Sequence, residues 1–245
     1  MGLSELTADC GAPQVQKAAS EAARAPIKLI DTADLPGGGE LHLLQCGDAF
    51  SIQFGSDELM GSEVAHSEQA LATLACARLG AEGSVLIGGL GMGFTLGAAL
   101  AVLPRGAVVT VAELVPKVAA WAKGPLAHLF KNYLSDPRVS LKIGDVHDVI
   151  ASSPNRFDAI LLDVDNGPDG LIHLANDRIY CNWGLRSAHA ALRPGGILAI
   201  WSAYADAAFV TRLENAGFDV DEIGLAANPG KEDRQNFIWL ASKFG

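Results

Sequence analysis

The stretch VLIGGLGMGF, residues 85 to 94, decides the fold. Three apolar residues run into four glycines within six positions, and a phenylalanine follows. A short buried strand that ends in bare backbone and then opens a helix is the first turn of a parallel α/β sheet. Glycine there lets the chain turn tightly and lets another group approach the main chain closely. Downstream the same rhythm repeats. Strand-like runs SVLIG, AVVTVAE, RVSLKIGD, FDAILLDVD and GGILAIWSA alternate with helical segments FTLGAALAVLP, PKVAAWAKGPLAHLF, VHDVIASS, NWGLRSAHAAL and ADAAFVTRLENAG. The chain closes on FDVDEIGLA and QNFIWLASK, two strands with only a loop between them, which predicts an antiparallel pair. The expected fold class is α/β, a seven-stranded mainly parallel sheet with helices on both faces.

Upstream, ELHLLQ and FSIQF alternate around glycine punctuation and predict a small β-hairpin region over 27–62. SEVAHSEQALATLACARLG predicts a helix, with Ser62 as N-cap and Val64, Leu71, Leu74, Ala75 and Leu79 along one face. Residues 1–26 are Ala-rich and polar and read as a flexible arm, leaving 63–245 as the ligand-binding Rossmann-like domain.

Composition narrows the function. A net charge of −10 and the lack of any basic run disfavour nucleic acid as a partner. No 18-residue apolar stretch predicts a membrane span, and the N-terminus has no signal-peptide pattern. The cysteines Cys10, Cys46, Cys76 and Cys181 form no CxxC pair, which points to free thiols in a reducing cytoplasm and to no metal site.

Preceded by Gly88, the glycines Gly89, Gly91 and Gly93 form G-x-G-x-G, with Phe94 where a dinucleotide fingerprint has its last glycine. Glu113, 20 residues past Gly93, ends the second strand, where a carboxylate can take both hydroxyls of a ribose. Asp145 ends the third strand, placed to accept an adenine amino group, with the Val146 amide next to it for a ring nitrogen. Asp163 ends the fourth. Together they outline a ribose–adenine cradle. Asp163, and after it Asp165, is the candidate base. Asn166, Tyr180, Trp201 and Tyr204 are candidates to line an acceptor pocket, with Trp183 flanking it. His66 and His173 are weaker candidates for proton transfer. The loop from 165 to 177, rich in Gly and Pro, reads as a lid or a surface connection.

This succession resembles the class I S-adenosylmethionine-dependent transferases, and within them the spermidine synthase family. The resemblance spans residues 40 to 245 and rests on DELMGSE, IGGLGMG, VAELVP, DPRVSLKIGDVHD, FDAILLDVDNGP and LRPGGILAI. It implies a Rossmann-like fold that binds S-adenosylmethionine or its decarboxylated form, and a polyamine as acceptor; the lack of two histidines at metal spacing with an acid between them adds an expectation of no metal.

The chain departs from the family at three places. The family's G-G-G-D-G-G has an aspartate for the donor's amine where this chain has Gly91. Its D-E-F-x-Y-x-E has a tyrosine where this chain has Gly61. Its D-x-x-D-P has a second aspartate where this chain has Asn166. Gln53, which resembles a family glutamine near the donor, is offset by one residue. Each charged hydrogen bond lost weakens binding by roughly 1.5–3 kcal/mol. The sequence reading therefore favours methyl transfer from S-adenosylmethionine to a small molecule such as an amine, with the donor's carboxylate received by loop N–H groups near Gly91. The alternative is an aminopropyltransferase using decarboxylated S-adenosylmethionine. A third reading is an adenosyl-binding protein without turnover. A homodimer covering the N-terminal sheet edges is a further expectation.

Overall fold

In a computed structural model, the described residues are 25–164, 167–168, 177–228 and 231–245. The chain folds as two sheets. The larger has seven strands in the order β10-β11-β9-β8-β5-β6-β7. Its central strand is β5 (Ser84–Gly88), whose interior residues are all apolar and buried, because helices cover both faces. β6 (Val108–Glu113) and β7 (Val139–Ile143) continue the sheet on one side. β8 (Phe157–Leu162) and β9 (Leu192–Ser202) continue it on the other. These four pairings are parallel. β10 (Phe218–Asn228) and β11 (Lys231–Lys243) close the sheet antiparallel, as the missing helix between them requires. The chain leaves β5 towards β6 and later returns to β8 on its opposite flank. In open α/β sheets a ligand crevice lies at such a reversal, which here falls at the tip of β5, where the glycines lie.

Two apolar layers sandwich this sheet. One contains Val85, Ile87, Leu96, Val109, Val111, Trp121 and Leu161, and reaches the N-terminal sheet through Leu43 and Ile52. The other contains Leu86, Ile160, Leu162, Tyr180, Leu185, Phe209 and Trp239. Helix α2 (Phe94–Val102) lies on the first layer, and Arg138 holds its end by donating to the Leu100 and Leu103 carbonyls.

The N-terminal region differs from the expected hairpin. It is a four-stranded antiparallel meander, β1 (Ile27–Asp34), β2 (Glu40–Cys46), β3 (Ala49–Phe54) and β4 (Asp57–Gly61). DELMG, just ahead of the expected helix, is its last strand. Ser62 caps no helix; its hydroxyl accepts the Phe50 N–H at 2.8 Å and pins the end of β4 to β3. Helix α1 (His66–Cys76) starts later, with Ala65 at its N-cap and no side-chain cap. Leu71 and Ala75 are buried as expected, whereas Val64 is exposed and precedes the helix. The segment expected as one helix after β6 is two, α3 (Pro116–Lys123) and α4 (Ala127–Phe130). Pro125 breaks it, lacking an N–H and pushing Gly124 out of helical geometry. The remaining helices are α5 (Val146–Ala151), α6 (Asp177–Tyr180), α7 (Asn182–Ala191) and α8 (Ala207–Asn215).

The small sheet is fastened to the large one through Asp31 on β1. Its carboxylate accepts the Trp121 indole N–H at 2.9 Å and pairs with Lys117 at 3.1 Å, both from α3. These donors hold the Asp31 carboxyl below its usual pKa. Among the described residues no helix is long and apolar enough to cross a membrane.

Candidate active site

The glycine loop is stitched to the strands on both sides of it. Gly89 N–H donates to the Ala112 carbonyl of β6 at 2.9 Å, and Asp163 N–H donates to the Gly88 carbonyl at 3.0 Å. Gly89 has φ +89°, and a Cβ there would run into the Asp163 carbonyl oxygen. No other residue fits this turn.

Gly91, with φ +48°, is where the sequence places the donor's tail. Instead Met60 of β4 fills the space: a Cβ on Gly91 would stand 2.7 Å from the Met60 Cε. The Met60 sulfur accepts the Met92 N–H at 3.1 Å. Gly93 lies under the Phe130 ring and Gly88 against Val146. Side chains of the protein itself therefore cover most of the bare main chain.

Glu113 ends β6 and is buried. One carboxylate oxygen accepts Leu90 N–H at 2.9 Å and the other Val115 N–H at 2.8 Å; the Gly91 and Leu114 amides also point at it. Burial pushes its carboxyl above the usual carboxylate range against the pull of these amides. Both oxygens thus hold the loop, and ribose hydroxyls would have to share or replace these bonds.

The loop N–H groups, expected to receive a donor carboxylate, have partners within the chain. Gly89 and Gly93 donate to the carbonyls of Ala112 and Leu90, Leu90 and Gly91 face Glu113, and Met92 is taken by Met60.

Asp145 caps α5. One oxygen accepts His147 N–H at 2.8 Å, and the other pairs with Arg178 of α6 at 2.6 Å. The neighbouring Val146 is buried, and its N–H has no hydrogen bond among the described residues. An orphaned amide beside a carboxylate suits the ring nitrogen and amino group of an adenine. The residues therefore fit the adenosyl part of the expected ligand.

Asp163 follows β8, and its carboxyl stands in a different setting. One oxygen accepts the Thr95 hydroxyl of α2 at 2.5 Å. Burial, and then the charge of Glu68 on α1, push its pKa up to about 7 against that hydrogen bond. Glu68 is itself buried. It accepts the Ser67 hydroxyl at 2.7 Å, and that hydroxyl accepts the Asn236 amide of β11 at 3.0 Å. The result is a carboxyl held well above the usual carboxylate range, which suits it to accept a proton.

The candidate acceptor residues scatter. Tyr180 is core: it is 1% exposed, donates to the Val164 carbonyl at 3.2 Å and meets the Phe209 ring edge-on. The Trp201 indole packs on the first apolar layer, its N–H buried without a partner among the described residues. Tyr204 is exposed just past β9, and its N–H donates to Ser202. Trp183 is exposed and stacks on His147 with ring centroids 4.9 Å apart. His66 is exposed at the start of α1. Gln53 pairs in register with Glu58 on the small sheet, in the wall of a cavity of about 260 Å³. Asp165, Asn166, His173, most of the expected lid, Cys10 and residues 1–24 lie outside the described residues.

Glu68, Thr95, Met60 and Arg178 were missed by sequence reasoning. Glu68 and Thr95 each sit in the first turn of a helix, facing the sheet tip, which is the only trace they leave in the sequence. Cys46, Cys76 and Cys181 are free thiols, and burial pushes that of Cys76 up to about 12. No group of three or more metal-binding side chains occurs among the described residues.

No family model matches the chain, and no curated protein matches it in sequence. Solved structures do match. The spermidine synthase of Thermotoga maritima superposes with TM-score 0.69 at 15% identity, over 88% of this chain and 72% of that one. A spermidine synthase in complex with the transition state analogue AdoDATO gives TM-score 0.71 at 15% identity, over 88% and 73%. At this identity the likeness establishes the fold: a Rossmann-like, methyltransferase-type α/β domain preceded by an antiparallel four-stranded sheet.

Proposed function

We propose that this chain transfers an alkyl group from an adenosyl sulfonium to an amine, and that the donor is decarboxylated S-adenosylmethionine, its aminopropyl group being moved. The observation that carries this reading is the Asp163 carboxyl, pushed up to about 7 at the tip of β8 beside the glycine loop. An amine is protonated at neutral pH and must lose a proton before its lone pair can attack. A carboxylate with a pKa near 7 accepts that proton efficiently. The loop supports the choice of donor, since its amides already bind other acceptors and leave a donor carboxylate no ready partner. The superposition on a spermidine synthase bound to AdoDATO supports it as well.

In this mechanism the Val146 amide and the Asp145 carboxylate hold the adenine, and Glu113 fixes the loop against which the ribose rests. When bound, the sulfonium supplies an electrophilic carbon and a neutral thioether leaving group. Asp163 orients the acceptor nitrogen and takes its proton at a carboxylate oxygen. Thr95 fixes that carboxyl by its hydroxyl, and Glu68 adds a second negative charge beside it.

A second reading, methyl transfer from intact S-adenosylmethionine, is favoured by Gly91 alone, which lacks the family's amine-binding carboxylate. Mass spectrometry of reactions with each donor and a panel of diamines separates the two. Release of methylthioadenosine with a diamine extended by an aminopropyl unit is the expected result. S-adenosylhomocysteine with a methylated product would replace it by the second reading. Nucleoside binding without either product would leave a binding protein.

A further inference from the structure

Five consecutive amides, Gly89 to Gly93, follow the tip of β5, and four of them face oxygen acceptors. Gly89 N–H donates to the Ala112 carbonyl and Gly93 N–H to the Leu90 carbonyl, while Leu90 and Gly91 face the Glu113 carboxylate. Met92 is the exception. Its N–H meets a thioether sulfur at 3.1 Å, and sulfur is a weak acceptor. This is the loop amide whose present partner an incoming anion would outbid most easily.

The sulfur comes from the other sheet. Met60 is the next-to-last residue of β4. The register there shifts between Ile52 and Gln53: Ile52 faces Met60 and Gln53 faces Glu58, so Leu59 is the extra residue of a bulge. A bulge redirects the side chains beside it. The redirected Met60 lies over Gly91 and touches the space that any side chain at 91 would need. Methionine is flexible and unbranched, so it can fill such a gap and still be moved aside.

We propose that Met60 is a specificity-determining residue of the glycine loop: it occupies the Met92 amide and the space above Gly91, and so disfavours nucleosides whose tail carries a carboxylate. This rests on the reading of the loop as the adenosyl site. A tail without a carboxylate leaves the Met60–Met92 contact in place. A tail with one must either expel the thioether or bury an anion that no N–H meets. A hydrogen bond to a charged group contributes about 1.5–3 kcal/mol, which corresponds to tenfold or more in affinity.

Calorimetry on the full chain tests this with three probes: methylthioadenosine, decarboxylated S-adenosylmethionine and S-adenosylmethionine. The wild type should bind the decarboxylated donor at least about tenfold more tightly than the intact one. Met60→Ala should reduce that ratio to about threefold or less by tightening the intact donor, with methylthioadenosine changed by less than about threefold. Met60→Leu, which keeps the bulk and removes the acceptor, should recover part of the gain and serves if the alanine variant does not fold. An unchanged ratio in both folded variants, with methylthioadenosine still bound, overturns the role of Met60 and leaves the adenosyl site standing. So does a wild type that prefers the intact donor. A wild type that binds none of the three overturns the site and the proposal together.

Discussion

Two acids stand at neighbouring strand tips around β5, and they lead different lives. Glu113, at the end of β6, is surrounded by amides: Leu90 and Val115 donate to it, and Gly91 and Leu114 point at it. Asp163, just past β8, has one hydroxyl from Thr95 and the charge of Glu68 for company. Burial raises both. Only for Glu113 does the main chain supply several compensating N–H groups, and that carboxylate becomes a rivet for the loop. Asp163 lacks them and stays chemically available. Position at a strand tip therefore does not assign a role; the supply of hydrogen-bond donors does.

The largest expected effect separates the two acids by activity. Asp163→Asn should cut turnover by about 10²–10⁴ while the folded state persists, since a general base contributes that much. Stopped or steady-state rates together with a melting curve check it. A variant with near-normal rates would erase the distinction.

The second effect is on stability against pH. A carboxyl whose folded pKa lies above its unfolded value stabilises the fold while protonated. That contribution is complete below the ordinary aspartate value of 3.8 and is lost as pH rises through about 7. Denaturant melts between pH 4 and 8 should show stability falling by a few kcal/mol, since each pH step of one between those two values costs about 1.36 kcal/mol. Asp163→Asn should flatten most of that slope. Glu113 is raised too, so it adds a fall of the same sign and leaves a residual decline in the variant.

Third, Glu113→Gln should destabilise the fold by about 2–3 kcal/mol, because the amide has one acceptor oxygen where the carboxylate has two and strands a buried N–H. Chemical denaturation measures it. A loss of nucleoside affinity with no loss of stability would move Glu113 from rivet to ligand.

The smallest effect is the most diagnostic. Glu68→Gln should move the Asp163 midpoint down by about one pH unit, as removal of one nearby charge does. Carbon-detected NMR titration of the carboxyl groups reads this without any substrate. An unmoved midpoint would leave burial as the sole cause of the raised value.

Much of the architecture was legible in advance, because buried parallel strands are short uninterrupted apolar runs, and β5, β8 and β9 could be read directly. The β10–β11 pair followed from the absence of a helix between them. The small sheet was only half legible. β2 and β3 alternate clearly, but β1 pairs across a bulge between Leu29 and Asp31, and β4 is five residues long and polar at its start. The split of α3 from α4 is written in Gly124–Pro125, a break that the helical periodicity around it conceals. At the site, the strand-tip acids could be found by counting from the glycines. Glu68 and Met60 could not. The first acts on a residue 95 positions away, and the second reaches its amide across 32. Neither distance leaves a periodic mark.

The attachment of the small sheet has a temporal side. Asp31 waits for Trp121, 90 residues later, and Met60 for Met92. The small sheet can thus be fastened only once β6 and α3 have emerged from the ribosome. Closing loops of that span is slow, so a chain stalled before α3 would carry a meander with nothing to fasten it.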